Sequence, residues 1–180
     1  MDRSELEKII RERLYEIIGN EKKDDTFMVE ASARHVHLSR EHLEELFGKG
    51  YELTPMKELS QPGQYAAKER VRVIGPKGEF SSVVVLGPCR NFSQVELSLT
   101  DCRKIGVKGI VRESGKTKDT PGILIGVGDR YVQLKEGVIV AKRHVHMTPA
   151  DAEKFDVKDG ENVKVKVNSE RPVIFDDVLI

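Results

Sequence analysis

Ala33-Arg34-His35-Val36-His37-Leu38-Ser39 returns 109 positions later as Lys142-Arg143-His144-Val145-His146-Met147-Thr148. A chain that spells the same strand-like run twice, each time followed by a hydroxyl residue and a short helical stretch, is built from two related units. Ser39 leads Arg40-Glu41-His42, and Thr148 leads Pro149-Ala150-Asp151 with proline at the first helical position. Both copies therefore predict an N-capped helix, over about Arg40 to Phe47 and about Pro149 to Phe155. A third short helix is expected over about Asp101 to Ile105. Beyond the repeated element, similarity between the two halves is weak.

The surrounding texture is β. Arg70 to Ile74 alternates apolar and charged, GPKG supplies a turn, and Glu79 to Leu86 returns as a second strand. Val107 to Val111, Ile123 to Val127, Tyr131 to Leu134 and Val138 to Val140 read as further short strands between Gly-bearing turns. Val163-Val165-Val167 alternates with lysines, and Val173 to Ile180 follows as the last strand. Many short strands with turns at roughly ten-residue intervals predict a mainly β fold of sandwich or barrel type. Residues 4–18 differ. Ser4 with Glu7 has the form of a capping box, and Leu6, Ile9, Ile10, Leu14, Ile17 and Ile18 recur at helical spacing before Gly19-Asn20. This amphipathic helix either packs on the body or docks to a partner, and GNEKKDD after it reads as a linker.

Composition removes several function classes. Thirty Lys+Arg stand against 30 Asp+Glu, a formal net charge of zero. A neutral chain has no global positive field for phosphate backbones or anionic membranes, so neither nucleic acid nor membrane is expected as a partner. The longest apolar runs, such as Val83 to Leu86, fall far short of the roughly 20 residues that cross a bilayer. MDRSELEKII has no signal-peptide form, and two cysteines, Cys89 and Cys102, are too few for a secreted disulfide framework. The expectation is a cytoplasmic protein. Net charge, however, is a sum and hides local sites.

Side chains two apart on a strand share a face, so His35 and His37 project together, roughly 6.5–7 Å apart at Cα, while Val36 turns inward. His144 and His146 repeat this around Val145. One His-x-His is more simply a polar strand face. Four of the five histidines spent this way, in two copies, favour metal, and imidazole favours zinc. His42, on the first helix, reads as a solvated surface residue. Further ligands must come from distant sequence, and Gly87 to Glu96 offers them. Glu96 lies between Val95 and Leu97, where an unpaired carboxylate is costly. Arg90 follows a Gly-Pro turn, from which a guanidinium can be aimed at an oxyanion. Cys89 reads as a small buried side chain.

With these residues in view, VEASARHVHLS, SQPGQYAAKERV, LGPCRNFSQVELS, KRHVHMTPADAEKF and RPVIFDDVLI together resemble the PduL-type phosphotransacylases, or phosphate propanoyltransferases. The matching blocks run from about Phe27 to Ile180. The resemblance implies reversible transfer of a short acyl group, propionyl or acetyl, between coenzyme A and inorganic phosphate. It implies two interlinked small β-barrels: residues 21–33 with 141–180 as one, 34–140 as the other, and 1–20 as the N-terminal helix. It also implies two zinc ions per chain. His35, His37 and Glu96 match the ligands of the metal nearest the CoA sulfur, His144 and His146 those of the second, and Arg90 the group that orients phosphate. Ser32 and Lys57 match positions near the CoA pocket. Family members continue past the position of Ile180 into a strand with a further histidine, so the second metal site is expected to be incomplete in these 180 residues. A homodimer is expected too, as is placement in the cytoplasm or a bacterial microcompartment lumen, with the N-terminal helix meeting shell or cargo.

Phosphate attack on a thioester needs stabilisation of a developing oxyanion, which zinc and Arg90 can supply without a covalent acyl-enzyme. Two other readings compete. One is a zinc-dependent, thioesterase-like hydrolase in which water replaces phosphate. The other is a non-catalytic two-barrel binding module whose zinc only holds the fold. Structural zinc is normally closed by four protein ligands, and each His pair here finds at most three. No G-x-G-x-x-G loop or cysteine cluster supports redox chemistry.

Overall fold

The computed structural model describes residues 26–180, so the amphipathic pattern at 4–18 lies outside the described residues. Two compact units, Met1–Glu30 and Ala31–Ile180, make up the chain, and every element below belongs to the second. The fold is mainly β, as the strand texture predicts, with three short helices among the described residues.

Strands β1 (His35–His37), β2 (Pro55–Glu58), β3 (Tyr65–Gly75), β4 (Gly78–Gly87), β5 (Gln94–Glu96), β6 (Val111–Arg112), β7 (Ile123–Val127), β8 (Arg130–Leu134) and β9 (Val138–Ala141) form one nine-stranded sheet. Its order is β6-β9-β5-β1-β4-β3-β7-β8, with β2 paired to β3, and it curls as a half-barrel. A second, two-stranded sheet pairs β10 (Asn162–Val167) with β11 (Val173–Leu179). The long β3–β4 hairpin turns on Pro76-Lys77, between the paired Gly75 and Gly78, where GPKG predicts it. Alternation then fills the core: Ala67, Val71 and Val73 of β3 face Val83 and Val85 of β4 among the most buried residues of the molecule.

Helix α1 (Arg40–Phe47) begins where the first repeat predicts. Ser39 caps it, its hydroxyl accepting from the His42 N–H, and Leu43 and Leu46 bury one face against β7 and β8. Full burial of each leucine contributes about 1.5–3 kcal/mol. Helix α2 (Leu99–Ile105) packs on β4, and helix α3 (Pro149–Phe155) is capped by Thr148 in a reciprocal capping box with Asp151.

Two local expectations change, and one strand was not expected. Only Val111 of the predicted Val107–Val111 strand enters a ladder, because the Val107 N–H closes α2 by donating to the Cys102 carbonyl at 2.9 Å after left-handed Gly106. Strand β2 was invisible to patterning, since all four of its residues are exposed and none alternates. The second His-x-His is not a strand; it holds one parallel bridge, His144 to Leu179. Among the described residues, no helix is long and apolar enough to cross a membrane.

Candidate active site

Strand β1 lies between β4, parallel to it, and β5, antiparallel to it. That register sets His35 opposite Glu96 and His37 opposite Gln94. The result is a buried cluster: His35, His37 and Glu96 are 9%, 2% and 7% exposed, with one ligand atom from each within 4.8 Å of the others. His35 Nε2 stands 3.4 Å from Glu96 Oε2, close to the separation of about 3.3 Å between two ligands on one tetrahedral zinc.

The donor chemistry fits that ion. His35 Nδ1 donates to the Ala33 carbonyl at 2.9 Å, which fixes the ring and leaves Nε2 facing Glu96. His37 Nδ1 is buried without a hydrogen-bond partner. An orphaned buried nitrogen is costly unless something binds it. The protonation states of His37 and Glu96 agree. Burial, then the positive charge of Arg90, lowers the His37 pKa to about 3, so the ring is neutral and ready to ligate. Burial alone would raise Glu96, but the hydrogen bond and charge of His35, with the Ser114 hydroxyl, hold it down to about 2. Burial disfavours charge on His35 also, yet Glu96 outweighs it and raises the pKa.

Around Glu96 runs a hydrogen-bond network that the sequence did not reveal. Gln94 Nε2 donates to Glu96 Oε1 at 2.7 Å and to Ser114 Oγ at 3.0 Å; the Ser114 hydroxyl donates to Glu96 Oε1 at 3.0 Å. Arg90 Nη1 donates to Ser114 Oγ at 3.1 Å, and the Gly115 N–H donates to Gln94 Oε1 at 2.8 Å. Arg90 is half-buried, and its backbone is tied to the first repeat through a bridge to Ser39 and an N–H bond to the Leu38 carbonyl at 2.9 Å. Gln94 lay within the block already singled out. Ser114, in a polar turn 18 positions from Glu96, carried no signal.

His144 and His146 stand together, ring centroids 4.8 Å apart and edge to face, lining a cavity of about 590 Å³ with Ser114, Thr148 and Leu179. His144 Nδ1 donates to the Lys142 carbonyl at 2.7 Å, repeating the His35 arrangement. Burial and the neighbouring His144 lower the His146 pKa, and the charge of Glu96 opposes them. Glu96 thus acts on both pairs. Arg90 lines a second cavity of about 620 Å³ with Ser39, His42 and Ser93, so the Arg90–Ser114 contact joins residues of the two cavities.

Three expectations need comment. His42 is not a solvated residue: it is half-buried, and its Nδ1 accepts from the Ser93 hydroxyl at 2.7 Å, while the Ser39 N–H donates to the same oxygen at 2.9 Å. The pair pins the Arg90 loop to α1. Cys89 behaves as predicted, partly buried against the core with its thiol pushed up by burial. Ser32 and Lys57 are exposed, on the segment before β1 and on β2; the Ser32 hydroxyl lies 3.5 Å from the Ala33 carbonyl that also receives His35 Nδ1.

Comparison with known proteins agrees with the geometry. The family model for phosphate propanoyltransferase matches residues 28–180. The chain is 78% identical over 180 residues to a phosphate propanoyltransferase of Leptotrichia buccalis, covering all of this chain and 85% of that protein. It is 69% identical to one of Sebaldella termitidis, covering 100% and 84% respectively. With one of Clostridioides difficile it shares 54% identity over 175 residues, 97% of this chain and 84% of that protein. The chain belongs to the phosphate propanoyltransferases, a family of acyltransferases.

Proposed function

We propose that this chain moves a short acyl group, propionyl or acetyl, reversibly between coenzyme A and inorganic phosphate to give acyl phosphate, with zinc at His35, His37 and Glu96 and without an acyl-enzyme. The observation that carries this reading is the buried two-nitrogen, one-carboxylate ligand set joined to Arg90 through Ser114. Zinc, when bound, supplies Lewis acidity toward the thioester carbonyl and the departing thiolate.

The chain's own residues do the rest. Burial lowers the Arg90 pKa and Glu96 opposes that, but a guanidinium stays charged at neutral pH. Its fork offers N–H donors beyond the one on Ser114 for two oxygens of one phosphate. Fixing phosphate beside the thioester is an orientation effect of several kcal/mol in favourable cases. Direct attack is favoured because the candidate nucleophiles are buried or half-buried. Burial raises both thiols, Cys89 and Cys102, and Ser93, although its hydroxyl meets His42, is only 6% exposed.

The test is CoA release from propionyl-CoA and acetyl-CoA, with and without phosphate, beside metal content. Phosphate-dependent release supports transfer. Release at equal rate in plain buffer makes the protein a hydrolase, and a burst of CoA without phosphate reveals an acyl-enzyme. Arg90→Ala is expected to raise KM for phosphate at least about tenfold. A chelator that abolishes turnover while the fold persists excludes a purely structural zinc.

The proposal extends to a second zinc at His144 and His146, supported by the repeated imidazole geometry, and to Ser32 and Lys57 as CoA contacts. A homodimer, and a cytoplasmic or microcompartment-lumen location served by residues 4–18, complete it. Gel filtration, and co-purification with shell proteins with and without residues 1–20, test these two.

A further inference from the structure

The hydroxyl of Ser114 is used to capacity. A serine hydroxyl has one proton to give and two lone pairs to receive with. Its proton goes to Glu96 Oε1, and its lone pairs take Gln94 Nε2 and Arg90 Nη1, all between 3.0 and 3.1 Å. Gln94 is engaged at both ends: its amide nitrogen donates to Ser114 and to Glu96, and its oxygen takes the Gly115 N–H. A flipped Gln94 would turn its oxygen to the carboxylate and its nitrogen to an N–H, so only one orientation is consistent. The wholly buried Gln94 and Ser114 together hold Glu96 by Oε1 and leave Oε2 for the metal cluster. Among the described residues no ion pair holds Arg90; its guanidinium contact is Ser114.

We propose that Ser114 is a positioning residue that couples the two halves of the reaction: through Glu96 it sets the third ligand of the metal cluster, and through Arg90 it aims the guanidinium that receives phosphate. This rests on the phosphotransacylase reading above. Ser114 itself is exposed, on the turn between β6 and β7, so removing its hydroxyl opens no core cavity.

Ser114→Ala and Ser114→Thr, made in the full chain, test the coupling by three readouts: zinc affinity by competition with a chromophoric chelator, KM for phosphate, and KM for propionyl-CoA. Ser114→Ala is expected to weaken zinc at this cluster about tenfold, within the usual range for loss of a group that orients a ligand. It is also expected to raise KM for phosphate by about threefold or more, leaving KM for propionyl-CoA unchanged. Ser114→Thr, which keeps the hydroxyl, is expected to restore both to within about twofold. Zinc affinity and phosphate KM both at wild-type level in Ser114→Ala overturn the proposal, as does a lowered Tm alone. A change in only one of the two confines Ser114 to one neighbour and overturns the coupling. Lack of phosphate-dependent turnover in the unmutated chain defeats the functional reading instead, and zinc competition then decides the Glu96 arm by itself.

Discussion

The two copies of the repeat have nearly the same local geometry and quite different surroundings. In both, the first histidine donates through Nδ1 to the carbonyl two residues back, and the two imidazoles meet edge to face at 5.1 and 4.8 Å. Both caps have the same backbone, φ −71° and ψ 160° at Ser39, φ −74° and ψ 161° at Thr148. Both arginines lie over a phenylalanine, Arg34 on Phe80 at 4.1 Å and Arg143 on Phe175 at 5.6 Å. The first copy, however, is sandwiched between β4 and β5, and its histidines are buried. The second is bridged only to Leu179, and His144 and His146 are exposed. The motif specifies how two rings face each other. Burial and the third ligand come from the strand on the far side, here β5 with Glu96.

The largest effect that sharpens this contrast is expected at the ligands. His37→Ala should lose more than about 100-fold in zinc affinity, beyond the usual cost of a merely supporting group, and nearly all phosphate-dependent turnover. His146→Ala should leave the buried cluster's zinc in place after dialysis. Equal metal loss in the two variants would erase the distinction. At the intervening valines, Val36→Ala removes two methyls from a fully buried site and should cost about 2–3 kcal/mol in urea unfolding. Val145→Ala, only half-buried, should cost less than about 1 kcal/mol. The caps come next. Ser39→Ala should cost about 1–2 kcal/mol and Thr148→Ala about 0.5–1 kcal/mol, because Ser39 is buried and Thr148 is exposed. A reversed order would show that the second copy is the better anchored.

The smallest expected effect is in acid. Arg34 forms an ion pair with Asp101 at 2.8 Å. Burial works against the ionised Asp101, but the Arg34 hydrogen bond and charge, with the Ser98 cap, hold its pKa below the usual 3.8. A depressed carboxylate contributes stability that is complete above its unfolded pKa and is lost as pH falls toward the folded value. With the Arg34 side chain 43% exposed, solvent screening limits this to on the order of 1 kcal/mol or less. Asp101→Asn should therefore flatten the decline in stability below about pH 4, followed by urea midpoints against pH. An unchanged acid limb would deny the first repeat this added tether.

Much of this was legible because it is local. Ser39 and Thr148 announce their helices by hydroxyl position, the GPKG turn announces the β3–β4 hairpin, and two His-x-His runs announce paired imidazoles. Glu96 announced itself as a carboxylate too deep in an apolar run to lack a partner. What stayed hidden is non-local. Nothing in Gln94-Val95-Glu96 says that it pairs antiparallel to His35-Val36-His37 rather than to another strand, and nothing in Glu113-Ser114-Gly115 says that its hydroxyl reaches that carboxylate. His42 looked like surface because its partner, Ser93, is 51 positions away.

The sequence by itself therefore determined the mainly β texture, the two capped helices, the pairing of histidines and the absence of a charge field suited to nucleic acid. These follow from side-chain alternation, capping and composition, each read within a few residues. Only the tertiary structure decided that one histidine pair is buried with Glu96 and the other exposed, and that Arg90 and Glu96 share Ser114. Strand order and register bring together groups tens of residues apart, and the burial that makes a hydrogen bond or a ligand matter is a property of the assembled sheet rather than of any segment in it.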